Sequence, residues 1–277
     1  MAELYPECKT YVDFFKAVCE KQIMLVSKWL SLGFIHGVMN TDNTSISGET
    51  IDYGPCAFMD EFDFYKRFSF IDQNGRYAFI NQAPVLQWNL SNLAQCLFPL
   101  IPEEQHKSLN EELESITPRV ESEWLRLMSE KLGFETTNIE IIKQFLQLLQ
   151  ENQLDFTLSF RTLSDFTKTL PNEDDLYFIK ETTAKKPYIE FIQNWQKEHE
   201  TRNSNLETLK QKLNNKNPIY IPRNHLVQIA IEQAYEGDFE SFHKLNKVLQ
   251  TPFKVQECDF HLPPTEENKV STTFCGT

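Results

Sequence analysis

Residues 33–55 read GFIHGVMNTDNTSISGETIDYGP. No other segment concentrates polar side chains between apolar flanks in this way, and the rest of the chain reads as helical support for it. Ahead of it, residues 8–32 carry Tyr11, Phe15, Val18, Leu25, Trp29 and Leu32 at helical spacing. Phe14, Ile23, Met24 and Leu30 make the other face apolar too, which predicts a buried helix. Gly33 stands where a helix ends in left-handed backbone. Phe34-Ile35 and Ile51 predict short strand pieces with a polar loop between them.

Within the loop, Asp42, Asn43 and Asp52 offer hard oxygen ligands. Oxygens of this kind suit Mg²⁺ or Mn²⁺, ions that in turn hold phosphate oxygens. Asp42 equally fits a general base or an orienting carboxylate. His36 is placed to make a hydrogen bond across the loop. A structural reading stands beside these, in which Asp42 and Asn43 cap turns as Asx residues do. Spacing alone leaves both open.

Composition narrows the classes. The 277 residues suffice for one large domain or two small ones with a sizeable core. With 8 glycines and neither a GxGxxG nor a GxxxxGK[ST] pattern, the chain carries no glycine-rich phosphate loop. A formal net charge of −13 without a Lys/Arg cluster argues against a nucleic-acid partner. No apolar run reaches membrane-spanning length and no signal peptide is seen, so no membrane partner and a cytoplasmic setting are expected. The opening residues enter a helix almost at once and read as the middle of a fold. Cys8, Cys19, Cys56, Cys96, Cys258 and Cys275 show no metal-ligand spacing, and reduced thiols are expected.

Outward from the loop, Asn74-Gly75 lies between Phe68, Phe70, Ile71 and Tyr77, Phe79, Ile80, which predicts a hairpin. From Pro84 the pattern is helical. Leu86, Leu90, Leu93, Ala94 and Leu97 share one face. Helices are expected near 103–115, 118–132, 154–169, 187–200, 202–214, 223–235 and 238–249. Thr137 and Glu140 suggest a capping box before Ile142, Phe145, Leu146 and Leu149. Pro187 suits a first helical turn, Asn224 an N-cap, residues 171–186 a loop and residues 251–277 an extended tail. Trp29, Trp88, Trp124 and Trp195 read as core anchors. The scattered histidines other than His36 lack ligand spacing. Arg76-Tyr77 suits either substrate contact or packing. The class expected is mainly α with a little β.

The loop can be compared with the kinase pattern H-R-D-x-x-x-x-N followed by D-F-G. His36 matches the His, Asn43 the Asn, and Asp52-Tyr53-Gly54 resembles DFG. Val38 occupies the place of the catalytic Asp, and Asp42 lies directly before the Asn. HGVMNTDNTSI (36–46) and IDYGPCAFMD (51–60) resemble the signature of the selenoprotein O, or YdiU, family of pseudokinases. GRYAFINQAPVLQWNL (75–90) and YIPRNHLVQIAIEQAYEGDFESFHKL (220–245) resemble it as well.

The resemblance implies a protein kinase-like C-terminal lobe in residues 1–100, a family-specific helical extension in 101–250 and a tail in 251–277, with the N-terminal lobe missing. It implies a protein adenylyltransferase that moves AMP from ATP to Ser, Thr or Tyr hydroxyls of protein substrates, some members being reported to transfer UMP. Asp42 would be the proton acceptor. Asn43 and Asp52 would bind Mg²⁺ (or Mn²⁺), with Asp52 also beside the nucleotide phosphates. The family's glycine-containing nucleotide loop, its Lys–Glu pair and its phosphate-gripping Arg residues have no counterpart here, so the chain alone is expected to be incomplete. The alternative is a non-catalytic helical remnant or partner-binding module. A eukaryotic source would make the setting mitochondrial. The family's GPFGF stands here as GPCAF, and the segment around Phe68 lacks the Cys that some members pair with one near the C terminus. Cys275 is therefore expected to be a free thiol.

Overall fold

The first helix begins where a capping box closes. The computed structural model describes residues 3–274, and α1 spans Tyr11–Leu32. The Thr10 hydroxyl accepts from the Asp13 amide at 3.1 Å, and the Asp13 carboxylate accepts from the Thr10 amide at 3.1 Å. Two donors that a helix start leaves orphaned are thereby satisfied. At the far end Gly33 takes φ 72°, a left-handed conformation that costs glycine little. Phe15, Val18, Cys19 and Val26 are buried, while Tyr11 and Met24 are exposed, so burial covers most of the helix rather than all of it.

The described residues pack as two units. The first holds residues 3–56, 67–124 and 272–274; the second holds 57–66 and 125–271. Strand β1 (Phe34–Ile35) belongs to the first and β2 (Ala57–Phe58) to the second. These are the only multi-residue strands among the described residues, so the class is mainly α with a little β.

In the first unit α1 packs against α2 (Gln82–Leu97). Pro84 lies in the first turn of α2, where a missing N–H leaves no hydrogen bond unmade. Helix α3 (His106–Lys131) contributes Leu109, Ile116 and Val120 to the same unit, all fully buried. Two helices were expected across this span. One is found, with Pro118 inside it. Proline costs a helix interior about 3 kcal/mol, and the buried stripe continuing on both sides of Pro118 offsets that cost. Ile51 forms no strand; only an isolated antiparallel bridge, Thr44 to Thr50, spans the loop. The expected hairpin at Asn74-Gly75 is also absent. The Asp72 carboxylate instead accepts from the amides of Arg76 and Tyr77, both at 2.8 Å, and winds the segment into turns.

The second unit contains α4 (Ile139–Glu151), α5 (Phe156–Arg161), α6 (Thr182–Thr201), α7 (Leu206–Lys216), α8 (Asn224–Tyr235) and α9 (Glu240–Leu249). Its core is aromatic. Phe145 stacks on Phe191 at 4.5 Å and meets Phe160 edge-on at 4.8 Å. Beside this core Arg223, fully buried, pairs with Asp155 at 2.8 Å and with Asp60.

Several local expectations shift here. Asn138, not Thr137, caps α4, accepting from the Ile141 amide at 3.3 Å. Helix α6 starts five residues before Pro187, because Ala184 already lies on the buried face with Tyr188, Phe191 and Trp195. Arg223 takes the N-cap position of α8, and Asn224 is the buried first residue of that helix. Trp195 and Trp29 are core residues as expected, but Trp88 is 49% exposed. Residues 251–274 form no helix or multi-residue strand. They are nevertheless held, for instance by Lys269 on Glu61 at 2.6 Å. Cys275 lies outside the described residues.

Candidate functional site

Two helices of the first unit seat the polar loop. On α1, Gln22 and Trp29 are seven residues apart and so share a face. The Gln22 amide nitrogen donates to the Ser45 carbonyl, and the Trp29 indole donates to the Thr50 hydroxyl at 3.0 Å. On α2, Gln82 and Asn89 repeat that spacing. Gln82 accepts from the His36 amide at 3.1 Å and donates to the Phe34 carbonyl at 3.0 Å. Asn89 donates to the Met39 carbonyl at 3.0 Å and to the Thr44 hydroxyl at 2.8 Å. A buried side-chain amide is unfavourable unless it is bonded. These three amides are buried, and each donates a hydrogen bond to a backbone carbonyl of the segment 34–45.

His36 sits at the centre of this arrangement, fully buried and 5.3 Å ring to ring from Trp29. Its Nε2 lies 2.8 Å from the Ile51 carbonyl oxygen. A carbonyl only accepts, so Nε2 carries the hydrogen. The opposite nitrogen, Nδ1, then accepts from the Val38 amide at 3.4 Å. The Val38 carbonyl in turn accepts from Asn43 Nδ2 at 2.9 Å. One neutral imidazole thus ties the residue before Asp52 to the turn that carries Asn43. Burial pushes the His36 pKa below the usual imidazole value, against a raising effect of the Ile51 bond and the Asp52 charge.

Gly37 permits the close approach that this requires. Its φ is 82°, and a Cβ there would stand 2.8 Å from the Pro55 carbonyl oxygen. No L-residue with a side chain fits such a position without displacement of backbone.

Asp42 and Asn43 lie on one 3-10 turn, Thr41–Asn43. Asp42 is exposed, and its carboxylate makes no turn-capping hydrogen bond to backbone among the described residues. The Asn43 amide nitrogen is committed to Val38, which leaves the side-chain oxygen as its ligating end. Asp52 is exposed, with φ 55°, and one of its oxygens accepts a long 3.4 Å bond from the Gly54 amide. Asp tolerates left-handed backbone better than most residues, and such outliers concentrate at functional sites. Among the described residues no group of three or more His, Cys, Asp or Glu could hold a metal. Asp42, Asn43 and Asp52 carry two carboxylates and one amide oxygen. Oxygen donors of this kind are those Mg²⁺ takes, usually one or two carboxylates completed by phosphate oxygens and water.

Around the loop, the Tyr77 hydroxyl donates to the side chain of Asn40, two residues before Asp42. Arg76 lies over the Trp88 ring at 4.7 Å. Thr273 donates to the Phe68 carbonyl at 2.8 Å and accepts from the Phe70 amide at 3.0 Å, and its hydroxyl donates to the Pro55 carbonyl at 2.5 Å. Burial pushes the Cys56 thiol, four residues after Asp52, up to about 11, so it stays protonated near neutrality.

Sequence reasoning named His36, Asp42, Asn43 and Asp52 but missed Gln22, Gln82 and Asn89. The signal was present: each is a buried amide on a largely apolar helical face, seven residues from a second amide or an indole donor.

Comparison with known proteins agrees with the motifs. Residues 1–250 match the family model described as protein adenylyltransferase SelO. The chain is 43% identical, over 99% of its length and 57% of the relative's, to the protein nucleotidyltransferase YdiU of Maridesulfovibrio salexigens. It is 40% identical to the YdiU of Rhizobium etli strain CIAT 652, again over 99% of this chain and 57% of that one. Against the YdiU of Rhodopseudomonas palustris the figures are 39%, 100% and 58%. The chain thus spans somewhat over half the length of the curated relatives it matches. The loop from His36 to Asp52, the helices that seat it and the match over residues 1–250 place this chain in the SelO family of nucleotidyltransferases.

Proposed function

We propose that the chain is the part of a protein adenylyltransferase that carries the proton acceptor and the metal ligands, built on a kinase-like C-terminal lobe. The substrate is ATP, and the acceptor is a Ser, Thr or Tyr hydroxyl of another protein. The observation that supports this most is the His36 network, which holds Asn43 and the residue before Asp52 in one rigid frame while Asp42 and Asp52 face solvent.

In this reading Asn43 Oδ1 and the Asp52 carboxylate hold Mg²⁺ or Mn²⁺, which supplies positive charge against the phosphates when bound. The exposed Asp42 carboxylate takes the proton of the attacking hydroxyl. The hydroxyl oxygen forms a bond to the α-phosphorus, the bond from that phosphorus to the bridging oxygen breaks, and diphosphate leaves. The chain contributes position and electrostatics more than covalent chemistry. Val38, at the place of the kinase base, is buried and takes no proton.

Titration calorimetry with ATP, with and without Mg²⁺ or Mn²⁺, tests the binding half. Metal-dependent heat that disappears in Asp52→Ala supports the reading. Transfer of label from α-³²P-ATP to a protein acceptor tests the chemistry, and undiminished transfer by Asp42→Ala would overturn the assignment of the base. Label from UTP in place of ATP would change the nucleotide. The alternative reading is a non-catalytic binding module. Absence of any nucleotide heat with either metal supports that one.

A further inference from the structure

Arg76 is the one arginine left with no oxygen partner for its guanidinium among the described residues. Every other arginine reaches a carboxylate or a backbone carbonyl. In a chain of net charge −13, an exposed guanidinium that forms no ion pair among the described residues is an unusual resource. It is also held in place. The Arg76 amide donates to Asp72 at 2.8 Å, and its guanidinium lies 4.7 Å from the centre of the Trp88 ring and 5.8 Å from that of Tyr77. Tyr77 is fixed through Asp72 at its amide and through Asn40 at its hydroxyl. Asn40 belongs to the loop that carries Asp42. The packing that orients Arg76 is thus tied by the Tyr77–Asn40 hydrogen bond to the loop that carries the proposed proton acceptor.

Stacking on an indole holds a guanidinium flat and leaves its N–H edge free, and that edge matches a carboxylate in a two-pronged bond. Trp88 is 49% exposed, so the stacked pair stands open to a partner. We propose that Arg76, braced by Trp88 and Tyr77, is a specificity-determining residue that binds an acidic side chain flanking the acceptor hydroxyl of the protein substrate. The proposal rests on the reading of Asp42 as the proton acceptor for the choice of acceptor, but peptide binding can be measured without the reaction.

The test uses the whole chain and two fluorescein-labelled serine peptides, one flanked by glutamates and its twin flanked by glutamines. Anisotropy should show the acidic peptide bound about tenfold more tightly, as a charge-assisted bond warrants, with the difference shrinking at high salt. Arg76→Gln should erase the preference while circular dichroism and thermal midpoint hold. Arg76→Lys should restore only part of it, since an ammonium lacks the planar fork. Trp88→Leu should weaken the acidic peptide about threefold through loss of the stack. Equal affinity for both peptides in the native chain would overturn the proposal, as would a preference that survives Arg76→Gln. Where transfer is measurable, Arg76→Gln should raise KM for the acidic peptide and leave KM for ATP in place. A rise confined to KM for ATP would assign the guanidinium to nucleotide phosphate and overturn the proposal. An Arg76-dependent preference without transfer to either peptide would leave the docking residue standing and remove the reaction.

Discussion

The His36 imidazole donates to the carbonyl of Ile51, the residue immediately before Asp52, at 2.8 Å. The bond closes the loop of residues 37–50 at its base. Replacing His36 by Phe keeps an aromatic ring against Trp29 but strands the buried partners of both nitrogens. An unmade buried hydrogen bond costs about 1–3 kcal/mol, and urea denaturation should show a loss in that range. The pH dependence has a definite sign. The folded-state pKa of His36 lies below its ordinary 6.5, so below about pH 6.5 the unfolded chain binds more protons than the folded one. The contribution is present above that pH and fades as the solution is acidified. Urea midpoints measured across the acid range should fall less steeply in His36→Phe than in the native chain.

Gly37→Ala should destabilise the loop. It demands a left-handed φ of 82° from an L-residue and puts Cβ 2.8 Å from a backbone oxygen of Pro55. The conformation alone costs about 1–2 kcal/mol, and the contact adds to it. Differential scanning calorimetry should show a lowered midpoint. Under the proposed function, ATP heat should fall with it.

In the second unit, Arg223→Met should destabilise by about 3–5 kcal/mol, the usual cost of stranding buried charge. Burial already pushes Asp60 above the ordinary carboxylate range, with Arg223 acting against that rise. Without the guanidinium the Asp60 pKa climbs further, so the loss should grow as pH rises above the carboxylate range. Adding Asp60→Asn and Asp155→Asn to Arg223→Met should restore much of it. Urea midpoints for the single and triple variants at acid and neutral pH check this.

Lys131 offers the opposite case, a buried cation without a carboxylate. Its ammonium lies 4.4 Å from the centre of the Phe160 ring and 5.2 Å from that of Phe156, and burial brings its pKa down to about 7. Between about 7 and the ordinary 10.5 the unfolded chain holds the extra proton. Native stability from this group therefore rises with pH through that window, and the penalty is fullest below it. Lys131→Met should raise the thermal midpoint at pH 6 and flatten its rise between pH 7 and pH 10. A midpoint that falls in the variant at pH 6 would contradict this account.

Legibility in the sequence followed the range of the forces involved. Helix α1, its glycine stop and the apolar face of α2 were readable because they depend on spacing and local backbone alone. The unbroken α3 was not. Pro118 is a local stop signal, and it was overruled by burial of Leu109, Ile116 and Val120, which spacing does not weigh. The hairpin at Asn74-Gly75 failed for a related reason, since the Asp72 carboxylate captures two amides that a strand ladder would need. At the site, Asp42, Asn43, Asp52 and His36 stood out as polar residues in a motif. Gln22, Gln82 and Asn89 did not, because an amide inside a helical apolar face looks like a lapse in the pattern until its backbone partners are known.

Trp29 has a further use. Its indole bonds Thr50 on one side of the loop and its ring lies 5.3 Å from that of His36. An imidazolium quenches indole emission where a neutral imidazole does so far less, and an indole exposed to water emits further to the red than a buried one. The loop therefore carries its own optical reporter. A variant retaining Trp29, with Trp88, Trp124 and Trp195 replaced by phenylalanine, would display protonation of His36 and loosening of the loop as two separable changes, in intensity and in colour.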